Sequence, residues 1–221
     1  MSAILFGSIS TLVDTSELQR RSFNEAFAAH DLSWNWSRED YRSMLGSNGG
    51  ADRISEYAST SGTDVDAAAV HATKSEIFQR LIGESDVKTR PGVADTIDSA
   101  KANGLKVGFV TTTSRENIDA LLAALSPELT ADSFDVIVDG SSVDAGKPDP
   151  ASYEFALKTL GENASDSVAI EDNAGGVQAA TAAGITCVAF PNENTAGTDF
   201  ASATDTVDAL DPERVRALIS A

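Results

Sequence analysis

Short apolar runs alternate along the chain with stretches whose apolar residues fall at helical spacing. Ala3-Ile4-Leu5-Phe6 is a compact strand-like run. From Ser16 to about His30, Leu18, Phe23, Ala26 and Phe27 recur with helical period among charged residues, which marks a helix with one buried face. The pattern stays helical almost throughout from Trp34 to Ile82. Ser37 with Asp40 reads as a capping box, and Asp64 as the cap of a long helix running past Lys74 and Phe78. No strand pattern intervenes between residues 15 and 86, so this stretch reads as a compact helical unit.

Beyond it the rhythm changes. Arg90-Pro91-Gly92 opens a helix with proline in its first turn, and Asn103-Gly104 closes it. Strands follow at Leu105–Val110, Phe134–Val138, Ser167–Ile170 and 185–190. Helices at 114–124, Pro150–Leu160 and 174–183 separate them, and Glu213–Ile219 forms a last helix. Short buried strands alternating with helices imply an α/β fold, a Rossmann-like parallel sheet with helices on both faces. The crossovers are expected to be right-handed. The helical unit interrupts this order directly after the first strand. Residues 1–14 and 87–221 are therefore expected to form the core, with 15–86 inserted as an all-helical cap.

Charge narrows the function classes. The chain has 221 residues, with 16 Lys and Arg against 34 Asp and Glu, a net charge of −18. Such a surface repels phosphate backbones and anionic lipid, so neither nucleic acid nor membrane is an expected partner. The acidity fits salt adaptation and simple solubility equally well. Cys187 has no partner for an intrachain disulfide and sits in the apolar run Ile185–Phe190, which makes it an inert core thiol. No apolar run approaches the length of a membrane span, and Met1-Ser2-Ala3 lacks the basic start of a signal peptide. A cytoplasmic protein is the expectation.

In open parallel sheets, ligands sit beyond the carboxyl ends of the strands. The segments in that position include Gly7–Asp14, Thr111–Ser114, Ala145–Pro150 and Glu171–Gly176. In this order they resemble the haloacid dehalogenase superfamily with a helical cap after the first strand. Arg20–Phe27, Trp34-Asn35-Trp36, Gly49-Gly50 before Arg53-Ile54, and Val110–Ser114 before Asn117 resemble its β-phosphoglucomutase-like group, and within it the CbbY-type sugar bisphosphate phosphatases. The resemblance implies a carboxylate at the end of strand one that attacks phosphorus, and a second, two residues on, that protonates the leaving oxygen. It also implies Mg²⁺ between nucleophile and phosphate. Thr111, Thr112 and Lys147 would hold the phosphoryl oxygens, Asp172 and Glu171 the metal, and Gln19 and Lys74 would be contacts from the cap.

The first motif departs from this pattern. Family members read Leu-Phe-Asp-x-Asp-Gly-Thr-Leu, whereas this chain reads Leu5-Phe6-Gly7-Ser8-Ile9-Ser10-Thr11-Leu12. Gly7 stands at the nucleophile position and Ile9 at the acid position. Gln19 replaces a common histidine, and Ala51 a common basic residue. Mg²⁺ is left with Asp172, Glu171 and the Ile9 carbonyl, a set expected to bind it weakly or not at all. Lys147, without its first-strand partners, is expected to pair with Glu171 and Asp172. Lys74 reads as a solvated lysine or an anion contact. Asp14 reads as bracing the following helix, His30 and His71 as surface or packing residues, and Trp34 and Trp36 as cap-core packing.

The expected function is that of a family member that has lost its two catalytic aspartates and binds a small anion or sugar phosphate without turnover. Two alternatives stay open. One is a Mg²⁺-dependent phosphohydrolase for small sugar phosphates with a non-standard nucleophile, for which Ser8 and Ser10 lie close but lack a histidine. The other is a subunit that docks an unidentified protein through its cap surface.

Overall fold

In a computed structural model of the chain, residues 2–46 and 49–219 are described. Ser47 and Asn48, within the stretch expected to be helical, lie outside them. Six parallel strands form one sheet in the order β3-β2-β1-β4-β5-β6. They are β1 (Ala3–Phe6), β2 (Lys106–Val110), β3 (Val136–Val138), β4 (Ser167–Glu171), β5 (Thr186–Ala189) and β6 (Asp205–Thr206). β1 lies in the middle, with Phe6 opposite Phe109 on one side and Ile170 on the other. Period-two alternation sends Ile4 and Phe6 into one apolar layer and Ala3 and Leu5 into the other, so the sheet is buried on both faces.

Helices cover the two faces. α1 (Ile9–Leu12) follows β1, and α6 (Val93–Ala102) leads into β2. α7 (Arg115–Leu125) follows β2, α8 (Ala151–Leu160) precedes β4, α9 (Ala174–Ala182) follows it, and α10 (Pro212–Ala217) comes last. Between α1 and α6 lie only helices among the described residues: α2 (Ser16–Ala29), α3 (Arg38–Ser43), α4 (Gly50–Ser61) and α5 (Ala67–Gly83). They enclose an apolar core of their own. Trp36 is fully buried there, with its ring centroid 4.6 Å from Phe27 and 5.0 Å from Phe23, and half-buried Trp34 packs against Phe27 and Tyr57. α5 packs against both α2 and α7, and its Phe78 and Ile82 belong to the sheet-side core. That helix couples the block to the sheet.

Several local expectations are corrected. The capping box of Ser37 and Asp40 is present, but Asp66 rather than Asp64 caps α5, accepting from the Ala69 amide at 3.0 Å. Pro91 lies outside α6, which starts after Gly92. Gly92 has φ +81°, and a Cβ there would meet the Leu210 carbonyl oxygen at 2.0 Å, so the chain turns into the helix at the glycine. The third strand begins at Val136 rather than Phe134. The short edge strand β6 and the single turn α1 carry no periodicity long enough to be read from sequence. Cys187 is buried in β5, where desolvation raises its thiol pKa far above the usual range. Among the described residues, no helix is long and apolar enough to cross a membrane.

Truncating Trp36 removes the ring that the helical block packs around. Trp36→Ala is expected to destabilise the protein by about 3–5 kcal/mol in urea unfolding. A cost below about 1 kcal/mol would show that the block is not organised around that ring.

Candidate functional site

Because β1 and β4 are neighbours in register, the residues just beyond Phe6 and Ile170 meet at the carboxyl edge of the sheet. The Gly7 amide donates to the Ile170 carbonyl at 2.8 Å. Ser8 caps α1, accepting from the Ser10 amide at 3.1 Å, and its Oγ donates to Asp172 Oδ1 at 2.5 Å. A cavity of about 380 Å³ opens above this edge. The sheet side contributes Ser8, Ile9, Thr111–Ser114, Asp172, Asn173 and Asn192; the helical block contributes Gln19, Phe23, Arg53, His71 and Lys74.

The structure places Thr111, Thr112, Asp172, Gln19 and Lys74 on this cavity, and Glu171 and Lys147 behind it. Lys147 Nζ donates to Glu171 Oε1 at 2.5 Å and to the Val110 carbonyl at 2.8 Å, and lies 3.5 Å from the Tyr153 hydroxyl. That hydroxyl in turn donates to Glu171 Oε1 at 2.7 Å. The lysine and glutamate side chains are 4% and 0% exposed. Burial raises the Glu171 pKa, with Lys147 opposing the shift. Of the two partners foreseen for Lys147, only Glu171 forms the pair; Asp172 turns into the cavity.

Gly7 makes this arrangement possible. A Cβ on Gly7 would stand 2.1 Å from Glu171 Cδ, and a Cβ on Gly176 would stand equally close. The carboxylate therefore fills the space into which a side chain at position 7 would project.

The expected Mg²⁺ donors do not come together. Glu171 is turned inward, and the Ile9 carbonyl accepts the Val13 amide at 3.1 Å. Asp172 Oδ1 accepts from Ser8 and from Asn173 Nδ2 (3.0 Å), while Oδ2 accepts from Asn192 Nδ2 at 2.5 Å. Among the described residues, no three His, Cys, Asp or Glu side chains gather into a metal-holding group. Mg²⁺ requires oxygen donors directed at one octahedral centre. One carboxylate already engaged by three hydrogen-bond donors does not fit that requirement.

The opposite wall is cationic. Lys74 is buried, not solvated: its Nζ donates to Gln19 Oε1 and lies 4.8 Å from the Phe23 ring centroid and 5.4 Å from that of Phe78. Burial, reinforced by the charge of Arg53, lowers its pKa to about 7. Arg53 is also buried, its Nε donating to the Met44 carbonyl at 3.0 Å. His71 lines the cavity instead of the surface, and desolvation together with Lys74 and Arg53 lowers its pKa to about 4, so it is neutral near pH 7. His30 instead pairs with Thr73 Oγ1 at 2.8 Å.

Sequence reasoning passed over the loop after β5. Thr195 Oγ1 donates to the Asp172 carbonyl at 2.6 Å, and Asn194 Nδ2 donates to Glu17 Oε1 at 2.8 Å. Arg42 of α3 donates to the Asn194 and Ala196 carbonyls, at 3.1 and 2.7 Å. The loop thus ties Asp172 to the helical block. The strand-end rule, extended to β5, would have pointed to this polar run. Asp14 braces α2 as expected, accepting from the Ser16 amide, and also accepts from the Glu193 amide of this loop at 2.8 Å.

Comparison with known proteins agrees with this architecture. The family model for haloacid dehalogenase-like hydrolases matches residues 1–184. Protein CbbY of Rhodobacter capsulatus is 40% identical over 206 residues, covering 92% of this chain and 91% of that protein. A CBBY-like protein of Arabidopsis thaliana is 35% identical, covering 97% of this chain and 71% of its own length. Among solved structures, CbbY from Rhodobacter sphaeroides with phosphate superposes with a TM-score of 0.88 at 39% identity, covering 95% of this chain and 94% of that one. A variant of the same protein with xylulose-(1,5)bisphosphate gives 0.89 at the same identity and coverage. With the parallel sheet, the helical insertion after β1 and the strand-end cavity, these matches show that the chain belongs to the haloacid dehalogenase-like hydrolase family and resembles its CbbY-type phosphatases.

Proposed function

We propose that this family member binds a small sugar phosphate in the cavity between sheet and helical block, which acts as a cap, without carrying out the family's phosphoryl transfer. The observation that carries the reading is at the end of β1. Gly7 offers no oxygen, and the carboxylate beside it, Glu171, is buried and committed to Lys147. Ile9 cannot transfer a proton. Asp172, the remaining carboxylate on that side of the cavity, is held by Ser8, Asn173 and Asn192. The cap wall supports anion binding, because Lys74 and Arg53 place positive charge against a cavity rich in hydroxyl and amide groups. The relatives solved with phosphate and with a xylulose bisphosphate support the ligand class.

One contact favours the alternative, a phosphohydrolase with a non-standard nucleophile: Ser8 Oγ donates to Asp172 at 2.5 Å, the arrangement of a hydroxyl beside a base. The Trp34 and Trp36 rings pack within the block, which leaves the docking reading without its aromatic anchors.

Two outcomes follow. Xylulose 5-phosphate is expected to raise the melting temperature, while phosphate release with Mg²⁺ stays at the uncatalysed rate. Turnover abolished by Ser8→Ala and by Asp172→Ala would establish the alternative instead.

Affinity is also expected to depend on pH through Lys74, which faces Arg53 from α4, His71 on its own helix and neutral Gln19 from α2, with Asp52 also on the cavity. Its pKa of about 7 means that the ammonium is present below pH 7 and lost above it, while His71, with a pKa of about 4, stays neutral across this range. Binding of xylulose 5-phosphate is expected to weaken about tenfold or more from pH 7 to 9. Lys74→Arg should flatten the profile, because guanidinium keeps its charge. A flat profile for the unaltered protein would contradict the role given to Lys74.

A further inference from the structure

Resting on the anion-binding reading above, we propose that Glu171 sets the number of anionic groups this cavity accepts, by acting as a built-in anion for Lys147. The ligand class that results is a polyol with a single anionic group, held at the cap end, rather than one with a phosphate at each end.

The geometry is specific. Lys147 reaches Glu171 Oε1 at 2.5 Å and the Val110 carbonyl at 2.8 Å, and lies 3.5 Å from the Tyr153 hydroxyl. Its charge is thus neutralised within the protein before any ligand arrives, and neither partner lines the cavity. Glu171 can take this position because Gly7 and Gly176 flank its carboxylate without side chains. It is held there as well, since turning away would leave Lys147 buried and unpaired.

What the sheet end offers a ligand is consequently not cationic. It presents Ser8, Thr111, Thr112 and Asn173, together with the Asp172 carboxylate. These groups suit sugar hydroxyls, whereas a phosphate would face a like charge there. The cap end carries the opposite sign, in Lys74 and Arg53. Among the described residues that line the sheet end, a second phosphate therefore meets no cationic side chain.

Isothermal titration of xylulose 5-phosphate and xylulose 1,5-bisphosphate against the unaltered protein, with and without Mg²⁺, tests this directly. The expected result is a bisphosphate affinity no more than about threefold above that of the monophosphate. Glu171→Gln, which releases the charge of Lys147, should shift the ratio about tenfold or more toward the bisphosphate. Glu171→Ala serves the same purpose if the glutamine variant does not fold, and the ratio for the unaltered protein decides the question if neither does. A clear bisphosphate preference in the unaltered protein, or an unchanged ratio in a folded Glu171 variant, overturns the proposal. Binding of neither compound by the unaltered protein, with bisphosphate bound by Glu171→Gln, would refute the preceding anion-binding reading while supporting the role of Glu171. Binding by neither form would overturn both.

Discussion

The buried pair between Lys147 and Glu171 is the interaction around which the sheet edge is arranged. Two charges removed from water are tolerable only with close contact and full hydrogen bonding, and here Tyr153 and the Val110 carbonyl complete the set. The pair requires room, which two glycines supply: Gly7 at the end of β1 and Gly176 in the first turn of α9. Glu171 therefore fills the space beside Gly7 and pairs with Lys147 in the interior, and of the two adjacent acids Asp172 is the one that lines the cavity.

The cavity that remains is polarised. Its sheet end is lined by hydroxyls, amides and one carboxylate, and its other end, in the helical block, by a lysine and an arginine that are both buried. Lys74 is held by an amide oxygen and two aromatic faces, partners that stabilise a cation less than a carboxylate would. Its depressed pKa is the mark of that environment. The loop after β5 adds a mechanical link, because it grips Asp172 on one side and Arg42 of α3 on the other.

Much of the fold was legible. Short runs such as Ala3–Phe6 and Ser167–Ile170 state their own burial, and the helical spacing of Phe23, Ala26 and Phe27 states which face of α2 turns inward. The position of Gly7 and Ile9 just beyond the first strand was legible because the apolar run Ala3–Phe6 fixes where that strand ends. The pairing of Lys147 with an acid was legible too, though not which acid. Glu171 is the last residue of β4 and Asp172 lies just beyond it, and the two side chains separate, one to the interior and one to the cavity. The cap side was harder. Whether Lys74 and His71 face solvent or cavity depends on how α5 is rotated against α2 and α7, a tertiary fact that helical periodicity does not contain.

Position 7 and the Glu171 carboxylate are in direct contact, and a double-mutant cycle on stability measures that contact. Gly7 does not need a positive φ, so alanine there meets no backbone penalty of its own. Alone, Gly7→Ala should destabilise the protein by about 1–3 kcal/mol through overpacking against the carboxylate. In a Glu171→Ala background the same change should cost little, giving a coupling of about 1 kcal/mol or more. An equal cost in both backgrounds would mean that Glu171 does not occupy the space beside Gly7.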